Sequence, residues 1–519
     1  MSFDEDNGRL LNFRPLLAAA VGLIAGVAFC VSVNGTQTGF YKACAILLPV
    51  LAAAFAVFGA VKGRRWMLVI CAFFLVGMAR VQLAAPDGLA GENVTVAGTV
   101  KSIAYTDTGA SVALFRAACQ GQGLRYGVLV IVKDGQGNAP DKLPFEAGDK
   151  VSIVCQSIGE PTQMYGVYNE RLARLAEGIS LKAKAEADDI AVIAKGSSPY
   201  YRLITKTKEA IGRKIDGLFG SSSALVSAFI IGEKDGVPED VYADFLSGGI
   251  AHLLTISGFH VGVITALLYA LLPKRYPRGR FAVIGLFLLC YCAVTGFTAS
   301  LLRASLMCMC VLFADAVCRR ADALSSLSLA AVLILLVSPY KLYSAGFCLS
   351  FAATLGIVLA FSFGVPKFKT GIAKTLLSTA TVTIGATAAS MLLTARYFGT
   401  FYTYGIIVNV LFVPLFSAAM VMCFVLTFAS FLLPNVCLML AAVPNALLDA
   451  ALRLLNKTAS LPYARLTTVT PSILSCVLML LLLFSASAYV LRPLKRRVIY
   501  TAIMLALFTA SAFADIITV

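Results

Sequence analysis

The sequence predicts a polytopic α-helical membrane protein of about thirteen spans that carries one extracytoplasmic β-barrel domain. Three observations lead there. Apolar stretches of bilayer-crossing length recur along a chain that is 59% hydrophobic and only 13% charged, about half the charged share of a soluble protein. The basic excess gathers in short loops between those stretches, as cytoplasmic loops do. One segment of about 110 residues breaks the pattern, with short runs of alternating apolar and polar residues instead.

Three apolar segments open the chain, at about Pro15–Val33, Tyr41–Val61 and Trp66–Ala84. Each is close to the ~20 residues that cross a hydrocarbon core of ~30 Å. The first has no small-residue cleavage site behind a short apolar core, so it reads as an uncleaved span. With Lys62, Arg64 and Arg65 cytoplasmic, the amino terminus is inside and the third span exits. Residues 1–85 thus form three transmembrane helices, and everything from Ala85 to Tyr200 is expected outside.

Within residues 86–198, Val94–Val100, Ser111–Phe115, Tyr126–Val132 and Lys150–Val154 alternate like strands. Thr106–Gly109 and Asp134–Gly137 supply turns, and Glu146–Val151 reads as a turn into a barrel strand. Short strands at this spacing predict a small closed, OB-like barrel. Its Cys119 and Cys155 stand apart from twelve cysteines that lie in or beside apolar segments. A lone pair in an oxidising compartment suggests a disulfide, with two buried free thiols as the alternative.

Residues 199–248 form a transition. Tyr200–Leu218 sets Arg202, Lys206, Lys208, Arg213 and Lys214 among Leu203, Ile204, Ile211, Ile215 and Leu218, the pattern of an amphipathic helix at a membrane surface. Ala224–Ile231 is apolar but too short to span, hence re-entrant or buried. From Gly249 to Val519 ten further spans are expected, near 249–272, 281–297, 298–317, 323–338, 345–364, 375–397, 404–431, 433–453, 472–491 and 498–514. Alternation from the outside puts the remaining basic clusters, at Lys274–Arg280, Arg319–Arg320, Lys367–Lys374 and Arg492–Arg497, in the cytoplasm and the carboxy terminus outside.

The net charge of +16 fits two readings: topology determinants against anionic lipid, or a basic track for a polyanion. Chemistry concentrates in Gly249-Ile-Ala-His252-Leu-Leu-Thr-Ile-Ser257-Gly258-Phe-His260-Val-Gly262, which holds both histidines of the chain. On a helix they differ by about 80° around the axis and can share a broad face. The spacing is not that of a zinc enzyme, and no metal site is expected. Gly258 and Gly262 form a small-xxx-small pair suited to close helix approach. Hydrogen-bonded histidines in a packed helix pair, and polar groups facing a water-filled cavity, both fit. A Ser257/His260 hydrolytic pair lacks a third partner, so no catalytic residue is assigned. Downstream, Thr295-Gly-Phe breaks the chain between two spans and puts Arg303 inside the second. An intramembrane arginine is costly unless paired or facing water: Asp315 is a possible structural partner, an anionic substrate the functional one.

Several of these pieces resemble the ComEC/Rec2 family of competence proteins. They are Ala228–Asp235, the Ala251–Gly262 segment, Thr295-Gly-Phe with Leu302-Arg303-Ala, Arg319–Asp322, Ser338-Pro339, Gly346–Ala353 and Ala395–Gly399 with Asn409 and Pro414. The barrel, ending in Tyr165–Ile179, resembles that family's amino-terminal OB-type domain. The resemblance implies a multi-pass plasma-membrane channel that passes incoming single-stranded DNA to the cytoplasm during natural transformation. It implies partners too: a DNA receptor, a nuclease and a cytoplasmic motor, with membrane lipid around it and homo-oligomers possible. Some members add a metallo-β-lactamase-like domain; no His-x-His-x-Asp-His run occurs here, so neither nuclease activity nor a cofactor is expected.

On this reading His252, Ser257, Gly258, His260, Gly262, Thr295 and Arg303 line or gate the DNA path, which must be hydrated and hydrogen-bonding for a polyanion to cross. Phe115 and Tyr126 are the expected stacking groups of the barrel. Against strand binding there, residues 86–198 hold 11 basic and 13 acidic side chains, where nucleic-acid surfaces are usually positive. The rival classes are a polytopic transporter of a small anionic solute and an intramembrane hydrolase.

Overall fold

A computed structural model describes residues 14–34, 65–362 and 372–517, apart from 87, 107–108, 135–137, 139, 141–142, 162–163, 166–167, 197, 235, 469, 488 and 490–493. The expected second span, Tyr41–Val61, lies outside the described residues, as do Lys62, Arg64, Lys367, Lys369 and Asp235.

The alternating segments fold as read. Strands β1 (Gly91–Thr106), β2 (Gly109–Cys119), β3 (Gly127–Lys133), β4 (Lys150–Gly159) and β5 (Ile179–Glu186) close in the order β1–β2–β3–β5–β4 and back to β1. Only β3 and β5 run parallel, Val130 opposite Ala183; β6 (Ile190–Ala194) extends the sheet from β4. Inward positions recur every second residue: Val94, Val96, Val112, Leu114, Val128, Val130, Val151, Ile153, Leu181 and Ala183 are all buried, the period-2 pattern of a strand with one face to a core. The strand β1 is bulged after Ala97 and after Val100, which lets one long strand coil round and pair on both sides.

The Glu146–Lys150 turn is pinned by Asp149. This buried carboxylate accepts the Gly196 amide at 2.6 Å and the Glu146 amide at 2.9 Å, so one side chain ties the turn into β4 to the chain leaving β6. Cys119 and Cys155 both point into the barrel core as free thiols. The expected bridge is not formed, and the register gives the reason. Cys119 lies beside Val96 and Cys155 beside Val94, so β1 runs between them. Two strand spacings come to roughly 10 Å, beyond the ~7 Å that a disulfide tolerates between Cα atoms.

Each other expected span contains a helix. They are α1 (Pro15–Asn34), α2 (Arg65–Leu83) and, after the short α3 (Glu170–Glu177) of the barrel, a run from α4 (Pro199–Phe219), α5 (Ser223–Ile230) and α6 (Glu239–Ser247) to α7 (Gly258–Leu271), α8 (Pro277–Thr295), α9 (Ala299–Ala316), α10 (Ala323–Val337), α11 (Ala345–Ser362), α12 (Ile372–Phe398), α13 (Gly405–Ala429), α14 (Pro434–Leu440), α15 (Ala442–Ala459), α16 (Ile473–Ala486) and α17 (Leu494–Ile517). Among the described residues nine helical segments are long and apolar enough to cross a bilayer; α7, α10 and α16 are apolar but shorter. The protein is a multi-pass membrane protein with a five-stranded barrel. The span expected at 249–272 is corrected: a 3-10 turn (Ala251–Leu254) comes first, and the helix starts only at Gly258. The amphipathic α4 buries Ile211, Ile215 and Leu218 against the bundle, and the short α5 is buried inside it.

Contacts sort the helix ends into two sets. At the barrel end, Arg80 donates to the Leu336 carbonyl at 2.7 Å, Tyr343 to that of Ala28 at 3.4 Å and Lys341 to that of Phe297 at 3.1 Å. At the other, Arg14 pairs with Asp322, and Asp315 takes Tyr269 at 3.1 Å and Arg280 at 4.0 Å. Every pair joins ends that an alternating traverse puts on one side. Close approach comes where glycine allows it: a Cβ on Gly26 would stand 2.1 Å from the Phe74 carbonyl, and one on Gly356 as close to that of Gly385, the packing that associates helices in lipid.

Two outcomes test this part of the fold. Asp149→Ala removes a buried charged acceptor from two part-buried amides and should cost about 2–4 kcal/mol, read as lost hydrogen-exchange protection across β4 and β6. Burial pushes the Cys155 thiol up to about 11, with Cys119 and Asp189 adding to it. Maleimide at pH 8 should therefore leave Cys119 and Cys155 unlabelled in the native protein and label both after denaturation without reductant; failure to label the denatured chain would show a bridge instead.

Candidate functional site

The site is built where the helical pattern fails. Gly249, at φ +69°, passes the Tyr402 ring so closely that an added Cβ would meet it at 2.8 Å. The chain then makes the 3-10 turn carrying His252, whose side chain is exposed, with Thr255 donating back to the His252 carbonyl at 2.8 Å. Leu253 and Leu254 are buried beneath the turn.

Ser257 caps α7, with its backbone extended. His260, only 2% exposed, folds back so that Nδ1 accepts the Ser257 amide at 3.2 Å, the half of a capping box that N3 supplies. The neutral imidazole must then carry its proton on Nε2. Its ring packs 6.2 Å from Phe229, itself part of a cluster with Phe416, Phe245 and Phe412. The buried Ser257 hydroxyl supplies the other half of the capping box, its oxygen turned to the His260 amide, and its proton has no acceptor among the described residues. Because Nδ1 is already occupied by an amide, the hydroxyl gains no base from His260, and the hydrolytic pairing is not assembled.

Arg303 reaches this point from the second turn of α9. It is 8% exposed, and among the described residues it has no ion pair; Asp315 pairs with Arg280 instead. The guanidinium is oriented by neutral groups. Its Nε donates to Ser350 Oγ at 2.6 Å, Ser350 in turn donates to Ser300 at 3.3 Å, Nη1 lies 3.8 Å from Met307 Sδ, and the charge sits 6.0 Å from the Phe351 ring centre. Its Nη2 rests on Gly258, 2.6 Å from where a Cβ would stand.

This corrects the expected use of the glycines. Gly258 admits a guanidinium, not a helix backbone, and Gly262 has nothing within 4 Å of an added Cβ. Thr295 ends α8, its hydroxyl turned back to the Tyr291 carbonyl at 2.7 Å, while Gly296 (φ +96°) and Phe297 (φ +55°) make the break. Its hydroxyl thus serves the helix end. Sequence reasoning missed Ser350 and Ser300; Ser350 stood in the Gly346–Ala353 motif, but nothing local marked it as the partner of a residue 47 positions away.

The two barrel aromatics part company. Phe115 is 43% exposed with Arg116 over its ring at 5.7 Å. Tyr126 is used in docking: its hydroxyl donates to the Ala84 carbonyl at 2.7 Å and its ring meets Tyr340 edge-on at 6.4 Å. The helix α3 packs on the same Pro339–Tyr343 turn through Leu175. Tyr126 is therefore not an open stacking platform. Burial, reinforced by Lys101 of the barrel, lowers the Lys341 ammonium from its usual range at this junction.

Residues 229–493 match the family model described as "Competence protein". The chain is 30% identical over 219 residues to ComE operon protein 3 of Bacillus subtilis (strain 168), covering 42% of this chain and 28% of that protein. It is 35% identical over 139 residues to an uncharacterized protein of Aquifex aeolicus, covering 26% and 33%, and 30% identical over 197 residues to uncharacterized protein MG316 of Mycoplasma genitalium, covering 38% and 49%. The matched parts thus span between about a quarter and half of these relatives. No solved structure matches. The family match takes in just over half of the chain, including α7, Arg303 and Ser350, so the chain belongs to the competence protein family, of the ComEC/Rec2 type.

Proposed function

We propose that this protein is a plasma-membrane channel that passes incoming single-stranded DNA into the cytoplasm during natural transformation. The observation that carries the reading is the buried guanidinium of Arg303, without a carboxylate partner among the described residues, against a helix start that follows the exposed His252. A membrane protein keeps an unpaired intramembrane cation where a polar path or an anion meets it. The family supports the class of cargo, since competence is the process it is named for. Passage of a single strand calls for three partners, a receptor that delivers the DNA, a nuclease that produces the strand and a motor that draws it in. The side with Arg14 and Asp322 is cytoplasmic and the barrel faces outward, in keeping with the basic loops. No chemistry on the strand is assigned to this chain.

The five-stranded closure of the barrel supports its OB-like reading, and Phe115 with Arg116 is the one expected stacking group left exposed there. A second reading shares the observation that carries the first. Transport of a small anionic solute also uses a helix start that points at an anion in a broken transmembrane segment.

Replacing His260 with Ala removes the acceptor that shapes the Ser257 turn. Transformation should then fall to background while DNA binding at the cell surface persists; unchanged transformation, in a host that depends on this chain, removes the channel reading. Ser257→Ala should lower uptake by a few-fold at most, about the scale of one hydrogen bond; complete loss in a folded variant would favour the hydrolase.

A further inference from the structure

We propose that the start of α7 and the Arg303 guanidinium together form a binding site for a phosphodiester oxyanion, an inference that rests on the DNA-passage reading only for which phosphodiester arrives.

The helix α7 is 14 residues long. Its first amides, at Gly258, Phe259 and His260, have no carbonyl acceptor within the helix and carry the partial positive charge of its N-terminus. On that turn lies a full positive charge: Nη2 of Arg303 stands 2.6 Å from the point a Gly258 Cβ would occupy. Two like charges packed together inside a bundle repel, and nothing in the contacts of Arg303 offsets them. The Ser350 hydroxyl, the Met307 sulfur and the Phe351 face are neutral, and no ion pair reaches Arg303 among the described residues. They fix the fork in place and leave Nη2 directed at the helix start. The residue is only 8% exposed, so water outside the protein does little to screen it.

A third donor completes the arrangement. The Ser257 hydroxyl, buried at the cap of the same helix, turns its oxygen to the His260 amide in the capping box, and its proton has no acceptor among the described residues. Amides, a hydroxyl and a guanidinium converging from two elements suit an anion with two free oxygens: one takes the helix amides and the hydroxyl, the other the guanidinium. A phosphodiester presents those two oxygens and one charge. Such a site recognises the backbone of a strand and ignores its bases, as a route for DNA of any sequence requires. The exposed His252 and Thr255 on the preceding turn offer polar groups on the way to it. A lipid headgroup carries the same chemistry, and the test separates the two sources.

The full chain is reconstituted in nanodiscs of zwitterionic lipid, and binding is measured for three probes: an oligothymidylate, the same oligomer with neutral methylphosphonate linkages, and short-chain phosphatidylglycerol. The variants are Arg303→Gln, which removes the charge, and Gly258→Ala, which keeps the charge but pushes the flexible guanidinium off the helix start. Thermal unfolding of each confirms that it is folded. For wild type the phosphodiester oligomer should bind about tenfold or more tightly than the methylphosphonate, the scale of a charge-assisted hydrogen bond. Both variants should lose that advantage without further weakening the neutral oligomer. Equal binding of the two oligomers by wild type, or an unchanged preference in both folded variants, overturns the site. If the oligomer is not bound and phosphatidylglycerol binding depends on Arg303, the site stands with a lipid phosphodiester and the DNA-passage reading falls. If transformation requires the chain but neither probe depends on Arg303, the passage reading stands and this inference is overturned.

Discussion

The guanidinium of Arg303, inside the helical bundle and with no carboxylate beside it among the described residues, is the constraint on which the rest of the arrangement depends. Arg303 cannot lose its charge at physiological pH, so the protein must surround it with groups that tolerate the charge without cancelling it. The helix α11 brings Ser350 to its Nε, α9 contributes Ser300 to the same chain of hydroxyls, and Phe351 offers a ring face. Only glycine at position 258 leaves room for the fork against α7. Those elements come from three separate parts of the chain, and the same contact that holds the charge also fixes how α7, α9 and α11 sit together.

The barrel is held over one set of helix ends by specific chemistry and not by a linker alone. Tyr126 reaches the carbonyl at the end of α2 and meets the Tyr340 ring edge-on, and Leu175 and Tyr340 share an apolar cluster with α1 and α2. Lys341 in turn holds the break after α8 through the Phe297 carbonyl. The turn that precedes Arg303 is thus tied to the barrel through the Pro339–Tyr343 turn, where Tyr340 meets Tyr126 and Lys341 holds Phe297, so the barrel and the start of α9 form parts of one scaffold.

How much of this was legible in the sequence follows from the range of the forces involved. Strands and spans announce themselves locally, through alternation in Val94–Val100 or a long, mostly apolar run in Gly405–Ala429, because burial is decided residue by residue along one element. The 3-10 turn before Gly258 was not legible, since His252, Thr255, Ser257 and His260 are scattered through an otherwise apolar Ile250–Ile264, and a helix and a buried turn look alike in such a run. Pairings across the fold were misread for a related reason. Gly258 looked like a helix contact and proved a seat for the side chain of Arg303, far along the sequence; Asp315 looked like the partner of Arg303 and lies one end of α9 away from it. Cys119 and Cys155 share a core, but the strand between them is visible only once the register is known. Tyr126 and Phe115 are equally aromatic in sequence, and docking alone separates them.

The position of the site along the bundle carries the last step. His252, Ser257 and the Arg303 end of α9 lie toward the same ends as Phe297, Lys341 and the barrel, because α7 and α9 both start there. The opposite ends are closed by paired charges, Arg14 with Asp322 and Arg280 with Asp315. The exposed Lys274, Arg275, Arg319 and Arg320 stand at that same far end, so positive charge lies at both ends of the bundle, buried at the start of α9 and solvated in the loops. Binding must be strong enough to admit a charged thread and weak enough to let it leave, and loop cations screened by water and salt hold a polyanion less firmly than a buried guanidinium does.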